Sequence, residues 1–141
     1  MKTIRLAMLA SALVIAACSE NRPGAESAWI REAPPNATAL AGYVKLVNPT
    51  RNEMVLTGAE SPDFGAIEIH RTIVKNQVAR MQRESSVTIP AGETAAFEPG
   101  GHHLMLFRPK QPLMAGDEVD ITLKFENGET LAVPFEVRRP E

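Results

Sequence analysis

Near its C-terminus the chain alternates strictly. Val119, Ile121, Leu123 and Phe125 are separated by Asp120, Thr122 and Lys124, and Leu131, Val133, Phe135 and Val137 by Ala132, Pro134 and Glu136. A period of two puts every apolar side chain of such a run on one face, so each run reads as a half-buried strand. Between them Asn127-Gly128 predicts a type I′ hairpin turn, because both residues tolerate positive φ. Pro134 has no N–H to give to a ladder and places the last strand at a sheet edge. Upstream, short apolar runs such as Trp29-Ile30-Arg31, Gly42 to Val47 and Met54 to Gly58 alternate with the turn signals Pro34-Pro35-Asn36, Asn48-Pro49 and Ser61-Pro62-Asp63. No run reads as a helix of three turns. Many short strands among 11 prolines and 9 glycines predict an all-β chain, an antiparallel β-sandwich.

The length of 141 residues suits one domain, preceded by segments that do not belong to it. Lys2 and Arg5 open a positive region, and the apolar stretch Leu6 to Ala17 is too short to span a bilayer as a helix. Residues 1–17 therefore read as an export signal. It ends in Ile15-Ala16-Ala17-Cys18, which resembles the bacterial lipobox, where cleavage leaves an acylated cysteine as the first residue; a plain secretory signal with Cys18 left over is the alternative. Ser19 in the following position favours sorting to the outer membrane. Residues 18–27 are polar, contain Pro and Gly and read as a tether, and residues 28–141 form the domain.

Cys18 is the only cysteine, so on the lipobox reading the exported domain carries no free thiol. Loss of Lys2 and Arg5 makes the exported chain more acidic than the formal −2 of the whole sequence, which argues against nucleic acid as a partner. No other apolar stretch is long enough for a transmembrane helix, so membrane attachment is expected through lipid alone.

All three histidines lie between His70 and Met105, together with Met81. His103 and Met105 are i and i+2 on a predicted strand and share one face, while Leu104 and Leu106 share the other. The leucines are expected in the core, with His103 and Met105 looking outward. Upstream, Ile67 and Ile69 alternate with Glu68 and His70, which puts His70 on a polar face as well. Met81 sits in a charged stretch, where a core methionine is out of place. Two imidazoles and two thioethers form a soft donor set that suits Cu(I); zinc prefers thiolate, imidazole or carboxylate, and a blue-copper centre needs a Cys thiolate. Taken singly, each Met is better read as core filler and each His as merely solvated. On pattern alone the two readings of the group stand level.

The arrangement His70, 10 residues, Met81, 21 residues, His103-Leu104-Met105 resembles that of the periplasmic copper chaperones called PCu(A)C. The resemblance extends over nearly the whole domain, through Trp29-Ile30-Arg31, Pro34-Pro35, Ala41-Gly42-Tyr43, Asn48, Ser61-Pro62, Glu68-Ile69-His70, Pro90-Ala91-Gly92, Pro99-Gly100-Gly101 and Leu123-Lys124-Phe125. It implies a cupredoxin-like β-sandwich, Ig-like and Greek-key, that is not an enzyme and binds one Cu(I) per chain through His70, Met81, His103 and Met105. It also implies a monomeric periplasmic protein that passes copper by ligand exchange to a haem-copper oxidase centre, alongside a Sco-type thiol protein.

Departures from the family are specific. His102 stands where relatives usually carry Tyr, and is either packed, solvated or an accessory to the site. Val74 and Ala79 occupy places where relatives often have further methionines. The chain ends at Arg139-Pro140-Glu141 with no His- and Met-rich tail, so one site is expected. Glu68 is either solvated or an acceptor that orients His70. Met54 is expected in the core and Met114 in a loop or the core. Arg71, Lys75, Arg80, Arg83, Arg108 and Lys110 are either a basic docking rim for an acidic partner or a solvated face. Two other functions compete with copper delivery: copper sequestration for tolerance by the same site, and a metal-independent envelope lipoprotein. No nucleophile with a base partner and no paired carboxylates point to an enzyme.

Overall fold

The computed structural model describes residues 22–140. The signal sequence and Cys18 with Ser19 lie outside the described residues. Among the described residues there are ten strands and no helix: β1 (Gly24–Arg31), β2 (Ala39–Val47), β3 (Met54–Glu60), β4 (Phe64–Lys75), β5 (Val78–Glu84), β6 (Val87–Ile89), β7 (Thr94–Phe97), β8 (His102–Pro109), β9 (Glu118–Phe125) and β10 (Thr130–Arg138). They form one sheet in the order β5-β4-β8-β7-β2-β1-β10-β9-β3-β6, with β8 also paired to β2. β3 and β4 touch although they are far apart in that order, so the sheet wraps around a single core. All-β architecture is as the alternation predicts. Most pairs are antiparallel, but β1 runs parallel to β10 and β7 parallel to β8.

The two alternating runs are β9 and β10, paired with Leu123 opposite Leu131 and Ile121 opposite Val133. Ile121, Leu123 and Phe135 are fully buried, each at about the burial that stabilises a large aliphatic or aromatic side chain by roughly 1.5–3 kcal/mol. Their connection differs from the expected type I′ turn. Gly128 N–H donates to Phe125 O at 3.0 Å, and Gly128 has φ +85° whereas Asn127 does not have positive φ. The turn thus sits one residue earlier, around Glu126-Asn127, with Gly128 taking the left-handed position that completes a three-residue hairpin loop. Asn127 contributes instead by accepting the Glu129 N–H on Oδ1 at 2.9 Å.

Two further expectations are corrected. β10 is not an edge strand, since it lies between β9 and β1. Its pairing with β1 begins only at Glu136, so Pro134 has no neighbour on that side to demand an N–H. The sheet also starts at Gly24, inside the stretch read as tether. Residues 24–26 pair with Val47, Leu46 and Lys45 of β2, before an irregularity between Glu26 and Trp29 where Ser27 has φ +51°. Backbone pairing holds this polar segment, and only Ala25 and Ala28 pack on the core.

Buried Asn48 ties the turn after β2 to the end of β6. Its Nδ2 donates to Ile89 O and Asn52 O at 3.0 and 2.8 Å, and its Oδ1 accepts from Thr50 Oγ1 at 2.7 Å. Met54 is buried, as expected of a core residue, and Met114 is exposed in the loop before β9.

Candidate metal centre

The register of β4, β5 and β8 places the candidate ligands. His70 lies directly opposite His103 on the β4–β8 ladder, and Glu68 opposite Met105. On the other side of β4, Thr72 is opposite Met81. Directly opposed residues share a face and alternate residues along a strand share it too, so His70, Met81, His103 and Met105 all fall on one face of the sheet. Ile69 and Leu104, the pair between, fall on the other face, and both are buried in the core. Core burial of these two is what turns the imidazoles away from it.

The strand entry is built by glycine. Gly100, at φ +86°, follows Pro99 in a turn closed by Gly101 N–H donating to Glu98 O at 2.9 Å, the arrangement in which the third residue must take positive φ. Gly101 O then accepts the Thr72 N–H at 3.0 Å and lies 3.2 Å from His103 Nδ1.

These contacts decide the state of each ring. A carbonyl oxygen only accepts, so His103 Nδ1 carries the proton and Nε2 is left with a lone pair. Glu68 Oε2 lies 2.9 Å from His70 Nε2, so that nitrogen donates and Nδ1 is left bare. His103 Nε2 and His70 Nδ1 are both buried with no hydrogen-bond partner. The ring centroids are 6.0 Å apart, tilted by 51°, and Phe107 packs 6.1 Å from His70. Burial, the dominant cause, holds the His103 imidazole below its ordinary pKa; the Gly101 carbonyl opposes this and the nearby His70 and His102 rings add to it. The hydrogen bond to His70 holds the Glu68 carboxyl below its ordinary range, with Arg83 contributing across 3.6 Å.

His70 Nδ1 and His103 Nε2 thus each offer an unshared electron pair from directly opposed residues on one face of the sheet. Leaving a buried acceptor unsatisfied costs roughly 1–3 kcal/mol, which a cation accepting both pairs would offset. Among the described residues no three His, Cys, Asp or Glu side chains are grouped to hold a metal. Met105 is half-buried and Met81 is 63% exposed.

His103 differs from its expected outward position. It faces away from the core, but only 3% of it is exposed. His102 falls on the opposite face, stacked on Phe97 with centroids 5.5 Å apart and bonded through Nε2 to Glu84 Oε2 at 2.9 Å. This is packing, not a fifth position beside the imidazole pair. Glu68 is the reverse case: it bonds His70 directly where solvation was the simpler expectation. The Gly101 carbonyl is a partner that side-chain patterning does not name, but Gly100-Gly101 just before His103 is the sequence signal that backbone can approach the ring.

The family model described as "Putative lipoprotein LpqE-like" matches residues 25–137. The chain is 38% identical over 112 residues to "Putative lipoprotein Lxx21020" of Leifsonia xyli subsp. xyli, covering 79% of this chain and 66% of that relative's own length. The copper-bound PCuAC domain from PmoF2 superposes with a TM-score of 0.71 at 24% identity, over 84% of this chain and 93% of that one, which is a likeness of fold. The solution structure of CuI-DR1885 from Deinococcus radiodurans superposes with a TM-score of 0.62 at 30% identity, over 88% of this chain and 81% of that one. Family and fold agree across nearly the whole sheet, and the chain belongs to the LpqE-like family of PCuAC-type proteins with a cupredoxin-like β-fold.

Proposed function

We propose that this protein is an extracytoplasmic copper chaperone that binds one Cu(I) through His70, Met81, His103 and Met105. The observation that carries the reading is the pair of buried, unpartnered nitrogens His70 Nδ1 and His103 Nε2 on opposed residues, with both thioethers on the same face. Copper-bound relatives of the same fold support the choice of metal. Two neutral sulfurs and two neutral nitrogens favour the monovalent ion.

Graded exposure gives transfer a direction. Met81 is the exposed donor and His103 the buried one, so an incoming ligand from a partner displaces Met81 first and His103 last. The ion changes hands without passing through water. A haem-copper oxidase centre, reached with a Sco-type thiol protein, is the proposed client, and acylation of Cys18 is the proposed anchor. Lipoprotein relatives support the anchor.

Cu(I) titration against a competing chelator tests the site. One equivalent is expected to bind, with Met81→Ala and His103→Ala each weakening binding by at least tenfold, about 1.4 kcal/mol. Met81 is exposed, so its variant keeps the fold. Wild-type affinity in both variants would refute the ligand set. Deletion of the gene separates delivery from sequestration: an oxidase-assembly defect is required by the first and not by the second.

A further inference from the structure

The β4–β5 hairpin outruns the sheet that supports it. β8 pairs with β4 only as far as Arg71, opposite His102, whereas β4 and β5 continue together to Lys75 opposite Val78. Beyond that limit Ile73, Val74 and Val78 are exposed, Val74 at 68%. From Arg71 to Arg83 the sequence holds four cations and no acid. The register divides them by face: Arg71, Ile73, Lys75, Val78 and Arg80 lie on the face opposite His70, while Val74 and Met81 share the face of His70.

The hairpin also stands at the end of the sheet where the chain enters. β4 and β2 are both antiparallel to β8, so they run in the same direction, β4 from His70 to Lys75 and β2 from Gly42 to Val47. Val47 is paired with Gly24, the first residue of the sheet. Gly24 and the hairpin turn are therefore at the same end. Gly24 is six positions along the chain from Cys18, a reach of at most about 20 Å.

We infer that the β4–β5 hairpin docks on an anionic phospholipid surface, with Arg71, Lys75 and Arg80 at the headgroups and Ile73 and Val78 at the acyl boundary. The inference rests on the proposed anchor at Cys18, which holds this end of the sheet within reach of the bilayer. Cations beside exposed apolar side chains are what such a surface selects, each cation favouring it by about fivefold. Met81 is on the other face, so docking leaves the proposed exchange ligand accessible to a membrane-bound partner.

The test uses the full-length lipoprotein in vesicles of phosphatidylcholine, alone or mixed with phosphatidylglycerol. A fluorophore is attached at Val78→Cys or, at the far end of the sheet, at Lys110→Cys, and quenched by a lipid-borne nitroxide. Severalfold stronger quenching at position 78 is expected in the anionic vesicles, falling to the level of position 110 in phosphatidylcholine and in the variant R71Q/K75Q/R80Q. That variant should still bind one Cu(I), which shows it is folded. Equal quenching at the two positions, or quenching indifferent to phosphatidylglycerol, overturns the inference. Burial of the probe only on adding an acidic protein domain also overturns it, in favour of a protein partner. Failure of the anchor is read separately, as absence of an acyl mass on Cys18. In that case flotation of the unacylated protein with anionic vesicles is still expected to require Arg71, Lys75 and Arg80, and its absence overturns the inference.

Discussion

Glu68 and the Gly101 carbonyl each hold one nitrogen of a histidine and thereby present the other. This is how outer partners of metal ligands act, fixing tautomer and ring orientation. Glu68→Gln replaces a carboxylate with a neutral acceptor that can also turn its NH2 toward the ring, so Cu(I) affinity is expected to fall by about 10–100-fold in a competition titration. Arg83, which meets the same carboxylate at 3.6 Å, is exposed, and its loss should matter far less. His103 makes a second residue-level prediction, for the metal-free protein. Its folded-state pKa is depressed by burial, so above the ordinary value of 6.5 both folded and unfolded forms are neutral and its contribution is complete. As pH falls below 6.5 the unfolded chain takes up a proton that the folded chain refuses, and stability drops by up to about 1.4 kcal/mol per pH unit until the folded-state pKa is reached. Urea unfolding at successive pH values checks this: the slope should shrink in His103→Gln. At this scale the sequence revealed which face His103 takes, because parity is local. It did not reveal depth, because burial depends on what neighbouring strands bring over the ring.

Elements divide into those specified locally and those specified by their neighbours. β9 and β10 carry their own alternation, and β4 and β8 carry enough of it to assign the faces of His70 and His103. β1 begins in a polar stretch whose strand character comes from pairing with β2, a contact with residues about twenty positions away that no local pattern contains. Turn chemistry misleads in an instructive way. Asn127-Gly128 has the composition of a two-residue hairpin turn yet serves a three-residue one, while Asn76-Gln77, at φ +51° and +62°, adopts the type I′ pattern without a glycine. A left-handed Gln costs roughly 1–2 kcal/mol relative to Gly. Gln77→Gly should therefore slow amide exchange in the β4–β5 hairpin severalfold; unchanged or faster exchange there would show that the turn is not strained. Global unfolding should move little, because the tip projects beyond the shared core.

For the molecule as a whole, the all-β class was legible in short alternating runs, whereas the strand order was not. Joining β1 to β10, or placing β5 at the outside of β4, depends on which nonlocal pairs bury the most apolar surface together. The resulting sheet gathers two histidines and two methionines from three strands on one face, and leaves the hairpin with the exposed methionine standing clear of the core. The central claim is that these four side chains hold a single cuprous ion. Copper K-edge X-ray absorption on protein loaded with one equivalent of Cu(I) tests it most directly: a first shell of two sulfurs and two imidazole nitrogens is predicted, and a shell without sulfur would contradict it.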